Sequence, residues 1–142
     1  MRRALIARVT MIAVLFCGLL GCNPRAPRAN QKQSTTSPNG KYVLTVPIEA
    51  QTTNPEHRGT RVWKVTIADT SGAVLYKDEQ STMLGNLNVY WGWDDQNRVW
   101  LYNSDDGAIW RWELTPEGWK KIPSQETDGI PEWVLPDYIK GR

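Results

Sequence analysis

The sequence predicts an all-β fold, a small antiparallel meander or sandwich of about seven strands, and two stretches carry that expectation. Between residues 87 and 122, short runs rich in tryptophan, tyrosine and β-branched residues alternate with clusters of Asp, Asn and Gly, the pattern of strands joined by tight turns. Six of the eight tryptophans lie there: Trp91, Trp93, Trp100, Trp110, Trp112 and Trp119. From Arg61 to Asp69 the side chains alternate with period two. Thr70-Ser71-Gly72 then turns the chain into Ala73-Val74-Leu75-Tyr76-Lys77, the second arm of a hairpin.

The chain has 142 residues, enough for one domain, but its first 21 are read apart. Met1 to Arg8 carries Arg2, Arg3 and Arg8, and Val9 to Leu20 is apolar except for Thr10, Cys17 and Gly18. A basic start followed by about a dozen apolar residues is a secretory signal, shorter than the ~20 residues of a membrane span. The stretch Leu19-Leu20-Gly21-Cys22 resembles the lipobox of bacterial lipoproteins, in which the cysteine is lipidated and becomes the first residue of the mature chain. Chemistry agrees: a thiol where an apolar run meets water is open to alkylation at the membrane, and Gly21 leaves room for a peptidase. The resemblance implies lipidation of Cys22 and a membrane anchor. Asn23, in place of aspartate, implies the outer membrane facing the periplasm in a Gram-negative host; in a Gram-positive host the address is the outer face of the cytoplasmic membrane. The chain thus divides into a signal (1–21), a lipidated flexible tether (22–37) rich in proline and small polar residues, and an all-β domain (38–142) with a proline-rich tail from 123.

Cysteine and charge narrow the chemistry. Cys17 falls in the signal and Cys22 is the lipid site, so the mature body can form neither a disulfide nor a thiolate metal centre and must stand on its apolar core. Of 17 basic residues, Arg2, Arg3 and Arg8 lie in the signal and Arg25, Arg28 and Lys32 in the tether. The body keeps 11 basic against 15 acidic residues, a net charge of minus four. That balance argues against a nucleic-acid partner.

Along the body, Ser37-Pro38-Asn39-Gly40-Lys41 is a turn before a strand from Tyr42 to Glu49, which Pro47 places at an edge or ends. Ala50 to Thr60 is a loop holding His57, the sole histidine, which is read as solvated because no second histidine or cysteine accompanies it. Strands follow at about 87–93, 98–102, 108–114 and 118–122. The tail, with Pro123, Pro131 and Pro136 among apolar residues, is expected to lie across the sheet, with at most a helical turn near Pro131 to Leu135. Asn103 to Trp110 resembles the Asp-box of β-propeller hairpins in keeping Asp105, Gly107 and Trp110, and Ser37 to Tyr42 is similar to the opening of a propeller blade. These resemblances imply blade-like hairpins and no activity. A closed propeller needs typically four or more four-stranded blades, so a small sandwich or a single curved sheet is expected.

Asp94, Asp95, Asp105 and Asp106 invite a reading as paired carboxylates or a calcium site. Their two turns, however, lie at opposite ends of one strand, ~17 Å apart at ~3.3 Å per residue, beyond the ~5–9.5 Å of a glycosidase pair. Turn chemistry is the stronger reading. Neither a metal site nor a cofactor is expected, and no Ser-His-Asp set or phosphate-cradling glycine loop is present. The aromatics are the open choice. A four-residue loop from Asp94 to Asn97 would place Trp91 opposite Trp100, uniting Trp91, Trp93, Trp100 and Tyr102, with Trp110 and Trp112 joining or not according to the next loop's length. That face is either a core, the stronger reading, or an exposed platform with Arg98 and Arg111 at its rim. The sequence thus points to a non-catalytic envelope lipoprotein that binds an envelope protein or glycan. A polysaccharide-binding module with an exposed tryptophan face is the rival, and a hydrolase a weak third.

Overall fold

A computed structural model describes residues 34–124 and 129–135; the signal, Cys22, most of the tether and the last residues of the tail lie outside them. The strands are β1 (Thr35–Thr36), β2 (Tyr42–Thr45), β3 (Ile48–Ala50), β4 (Arg61–Trp63), β5 (Thr66–Asp69), β6 (Val74–Lys77), β7 (Val89–Trp93), β8 (Val99–Asn103), β9 (Ile109–Thr115) and β10 (Gly118–Ser124). They form antiparallel sheets ordered β1-β2-β5-β6, β10-β9-β8-β7 and β3-β4. The all-β class holds, with more strands than the seven expected. Thr35 and Thr36, placed in the tether by the sequence, pair with Val43 and Leu44 as an edge strand.

Pro47 accounts for the small third sheet. The single strands read at 42–49 and 61–69 keep one register throughout, Thr45 facing Thr66 before the interruption and Ile48 facing Trp63 after it. Between them Pro47 has no N–H to donate, so the ladder lapses there even though its carbonyl still accepts from Lys64 N–H at 2.9 Å. The segment after β6 fills the gap. Asp78 N–H donates to Val65 O at 2.9 Å and Trp63 N–H to Met83 O at 2.8 Å.

The two four-stranded sheets face each other with β7 near β1 and β10 near β6. Between them lies the main core, built from Leu44, Val65 and Ile67 on one side and Val89, Trp91, Val99, Leu101 and Trp112 on the other, all fully buried. Aromatic rings meet edge to face, Tyr42 on Trp119 at 5.2 Å and Trp93 on Trp119 at 5.9 Å. Burying one such side chain contributes roughly 2–3 kcal/mol, which is how a body without cysteine holds together. The outer face of the meander is covered as well. Trp100, Tyr102, Ile109 and Val134 form a second buried cluster, joined by Tyr90, Ile130 and Leu135. The described part of the tail, residues 129–135, therefore lies across the sheet as expected, with a 3-10 turn at Glu132–Val134.

Turn chemistry decides which residues share a face. The sequence expectation of a four-residue loop after Trp93 is corrected: Asp94 N–H bonds to Arg98 O at 2.9 Å, leaving a three-residue loop, and Trp93 faces Val99. Asp94 Oδ1 accepts from the N–H of Gln96 and of Arg98, at 3.0 and 2.8 Å, and Asn97 takes the left-handed φ of 60° that closes such a loop. The same turn recurs at Asp69, whose Oδ1 accepts from Ser71 and Ala73 N–H at 2.8 and 3.0 Å while Gly72 supplies φ 91°.

Charged groups tie the sheets together. Lys121 Nζ on β10 meets Asp78 Oδ2 at 2.8 Å, and the Asp78 side chain is only 5% exposed. Lys121→Ala would strand that buried carboxylate and should cost about 3–5 kcal/mol in urea unfolding, while Asp78→Asn combined with Lys121→Met should cost less than the single change. Glu79 accepts from the buried Lys64 at 2.7 Å, and that bond is the main cause that holds its carboxyl below the usual 4.5. Its stabilisation is complete above pH 4.5 and fades as pH falls through the lowered folded value. Chemical denaturation at pH 7 and pH 3 should therefore show a smaller acid loss in Glu79→Gln than in the parent.

Candidate functional site

Turns gather at one end of the sandwich. The Ser37–Lys41 turn leads into β2, the Asp94–Arg98 turn joins β7 to β8, and Thr115 to Gly118 joins β9 to β10. Asn39 N–H donates to Asn97 Oδ1 at 2.9 Å, which locks the first turn to the second. Between them opens a groove of about 460 Å³ lined by Asn39, Gln96, Asn97 and Arg98, with Glu113, Leu114, Tyr42 and Trp119 completing it. Leu114 is 54% exposed there, while Trp119 is almost buried.

The residues singled out in the sequence lie elsewhere, apart from Arg98. Because of the three-residue loop, Trp91 faces Leu101 and Trp100 faces Gly92, so Trp100 and Tyr102 point away from Trp91 and Trp93. The following loop places Leu101 opposite Trp110 and Val99 opposite Trp112. The expected six-aromatic face thus divides into a set of four, Trp91, Trp93, Trp110 and Trp112, and an opposite pair. Trp91, Trp100 and Trp112 are fully buried, Trp93 and Tyr102 nearly so, and Trp110 is half-buried. These six side chains form walls of the two cores and present no flat exposed platform.

Arg98 and Arg111 both lie over the Trp100 ring, each 5.5 Å from its centroid. The buried Asp94 carboxylate completes this group, accepting from Arg98 Nε at 2.6 Å and from Trp100 Nε1 at 2.8 Å. Arg111 Nε lies 3.3 Å from Glu113 Oε2. Asp105 clamps the hairpin to the entry of β7, accepting from Asn88 N–H at 2.6 Å and from Asn88 Nδ2 at 3.1 Å, and these bonds lower its carboxyl. Asp106 accepts from Ala108 N–H at 2.8 Å. Asp94 and Asp106 are thus engaged in bonds of their own turns, in keeping with their sequence reading, whereas Asp105 reaches out of its turn to Asn88. Among the described residues no three His, Cys, Asp or Glu side chains converge on a metal-sized site.

Two further features lie apart from the groove. An apolar hollow of about 390 Å³ lies between Ile48, Leu84 and Gly85. Lys121 Nζ sits 4.4 Å from the Trp110 centroid and 5.4 Å from that of Trp112, an aromatic seat already filled by the protein's own cation. Sequence reasoning passed over the groove because its residues come from separate turns. The available signal was the clustering of Asn and Gln in turns that an antiparallel meander brings to one end.

The burial pattern predicts that acrylamide will quench little of the native tryptophan emission, since Trp63, Trp91, Trp93, Trp100, Trp112 and Trp119 are all under 9% exposed. Strong quenching of the folded protein, comparable to that in urea, would contradict these buried positions. Comparison of the chain with protein-family models, with curated proteins and with solved structures finds no match.

Proposed function

We propose that this chain is an envelope lipoprotein, held to a membrane by lipid on Cys22, whose β-sandwich recognises an envelope protein or glycan without catalysing a reaction. The leader supports the address: a basic start, an apolar run and Leu19-Leu20-Gly21-Cys22. Asn23 to Ser34, twelve residues rich in proline and small polar side chains, separate the lipid site from β1; a flexible tether of that length and composition would reach roughly 20 Å, enough to hold the domain clear of headgroups. In a Gram-negative host the residue after the cysteine favours the outer membrane and a periplasmic face.

The observation that carries recognition is the groove at the turn end, where polar side chains from two turns surround an exposed leucine. The chain runs through β1 toward that end, so a ligand there meets the domain ahead of the point where the tether enters. The engagement of Asp94, Asp105 and Asp106 in structural hydrogen bonds, two within their turns and one to Asn88, supports a role without catalysis.

Cys22→Ala should move the protein from the detergent phase to the aqueous phase on Triton X-114 partitioning and remove an acyl mass from the mature N-terminus. A variant that stays in the detergent phase, or a parent protein without acyl mass, would overturn the anchored reading.

A further inference from the structure

We infer that the groove at the turn end takes a neutral saccharide carrying acetamido groups. This inference rests on the recognition role proposed above and names its ligand class. The volume of about 460 Å³ falls in the range of small-molecule sites, ~300–1,000 Å³. Its charges are spent inside the protein, Arg98 on Asp94 at 2.6 Å and Glu113 on Arg111 at 3.3 Å, so the site favours neither an anion nor a cation. What it offers instead is amides. Asn39 Oδ1 accepts from Ser37 Oγ at 2.8 Å and Lys41 N–H at 3.0 Å, and Asn97 Oδ1 from Asn39 N–H at 2.9 Å. Both side chains are thereby fixed with NH2 groups that have no acceptor among the described residues, a preorganised pair of donors beside the exposed Gln96.

The rest of the groove is hydrocarbon. Leu114 stands 54% exposed beside Tyr42 and Trp119, a surface for C–H and methyl groups. The Trp119 indole N–H, a buried donor in the groove's own wall, has no acceptor among the described residues. Hydroxyl and acetamido edges with an apolar ring face match this combination.

The test is titration of the full-length protein in detergent with the N-acetylglucosamine trimer, read by side-chain amide NMR and tryptophan fluorescence. Saturable binding near a Kd of about 1 mM is expected, with shifts confined to the NH2 signals of Asn39, Gln96 and Asn97 and the Trp119 indole. Gln96→Ala, at an exposed position, should weaken binding about tenfold, or 1.4 kcal/mol, and the deacetylated cationic trimer should bind more weakly still. No saturable change by about 10 mM, equal binding of the deacetylated trimer, or shifts remote from the groove would each overturn the inference. A photocrosslinker at position 96, irradiated in intact envelopes, separates the two levels. Protein adducts without trimer binding would overturn the saccharide and leave recognition standing; neither adducts nor trimer binding would overturn both.

Discussion

Trp100 lies on the opposite face of the meander from Trp91 and Trp112, and that arrangement forces a second cover onto the sheet. An antiparallel sheet commonly leaves one face to water. Here both faces carry fully buried indoles, so the sandwich partner closes one and the segment around Val134 closes the other. Three of the indoles are bonded as well: Trp63 Nε1 donates to Leu87 O at 3.2 Å, Trp93 Nε1 to Thr35 O at 3.0 Å and Trp100 Nε1 to Asp94 Oδ2 at 2.8 Å. The last two reach beyond the core, one to the first strand and one to a turn. The first strand and a turn carboxylate are thereby bound to the aromatic layers.

The turn after Trp93 acts at two levels. Its aspartate fixes a three-residue loop, which sets the register and sends Trp100 outward; one residue more would have sent it inward. The same loop projects Gln96 and Asn97 beside Asn39, so the chemistry that places the core also builds the groove's rim. The amides of Asn39 and Asn97 are therefore held in place by the turns themselves.

Much of this was legible in the sequence. Strand positions in the meander, the turn role of Asp94 and Asp106 and the short turn in the tail all followed from alternation, turn residues and proline spacing. The register did not follow, because three-residue and four-residue readings of Asp94-Asp95-Gln96-Asn97 differ by one pairing and only the Asp94 bonds decide between them. The division at Pro47 was half legible: its missing N–H predicted an end, while the segment after β6 that fills the gap gave no local signal. The groove was hidden because it is assembled from turns far apart in the chain. Cys22 and the lipid proposed for it are the reverse case, read from adjacent residues that lie outside the described structure.

Closure of both faces is the claim on which the rest stands, and Val134 is the residue to question. It is fully buried against Trp100, Tyr102 and Ile109. Urea unfolding of Val134→Asp in the full chain measures the second cover directly. A charge forced into that cluster without a partner should cost several kcal/mol, on the order of 3 or more. A loss within about 0.5 kcal/mol, the range of an ordinary surface change, would mean that the outer tryptophan face stays dry without the tail, and the two-sided account of the sheet would fail.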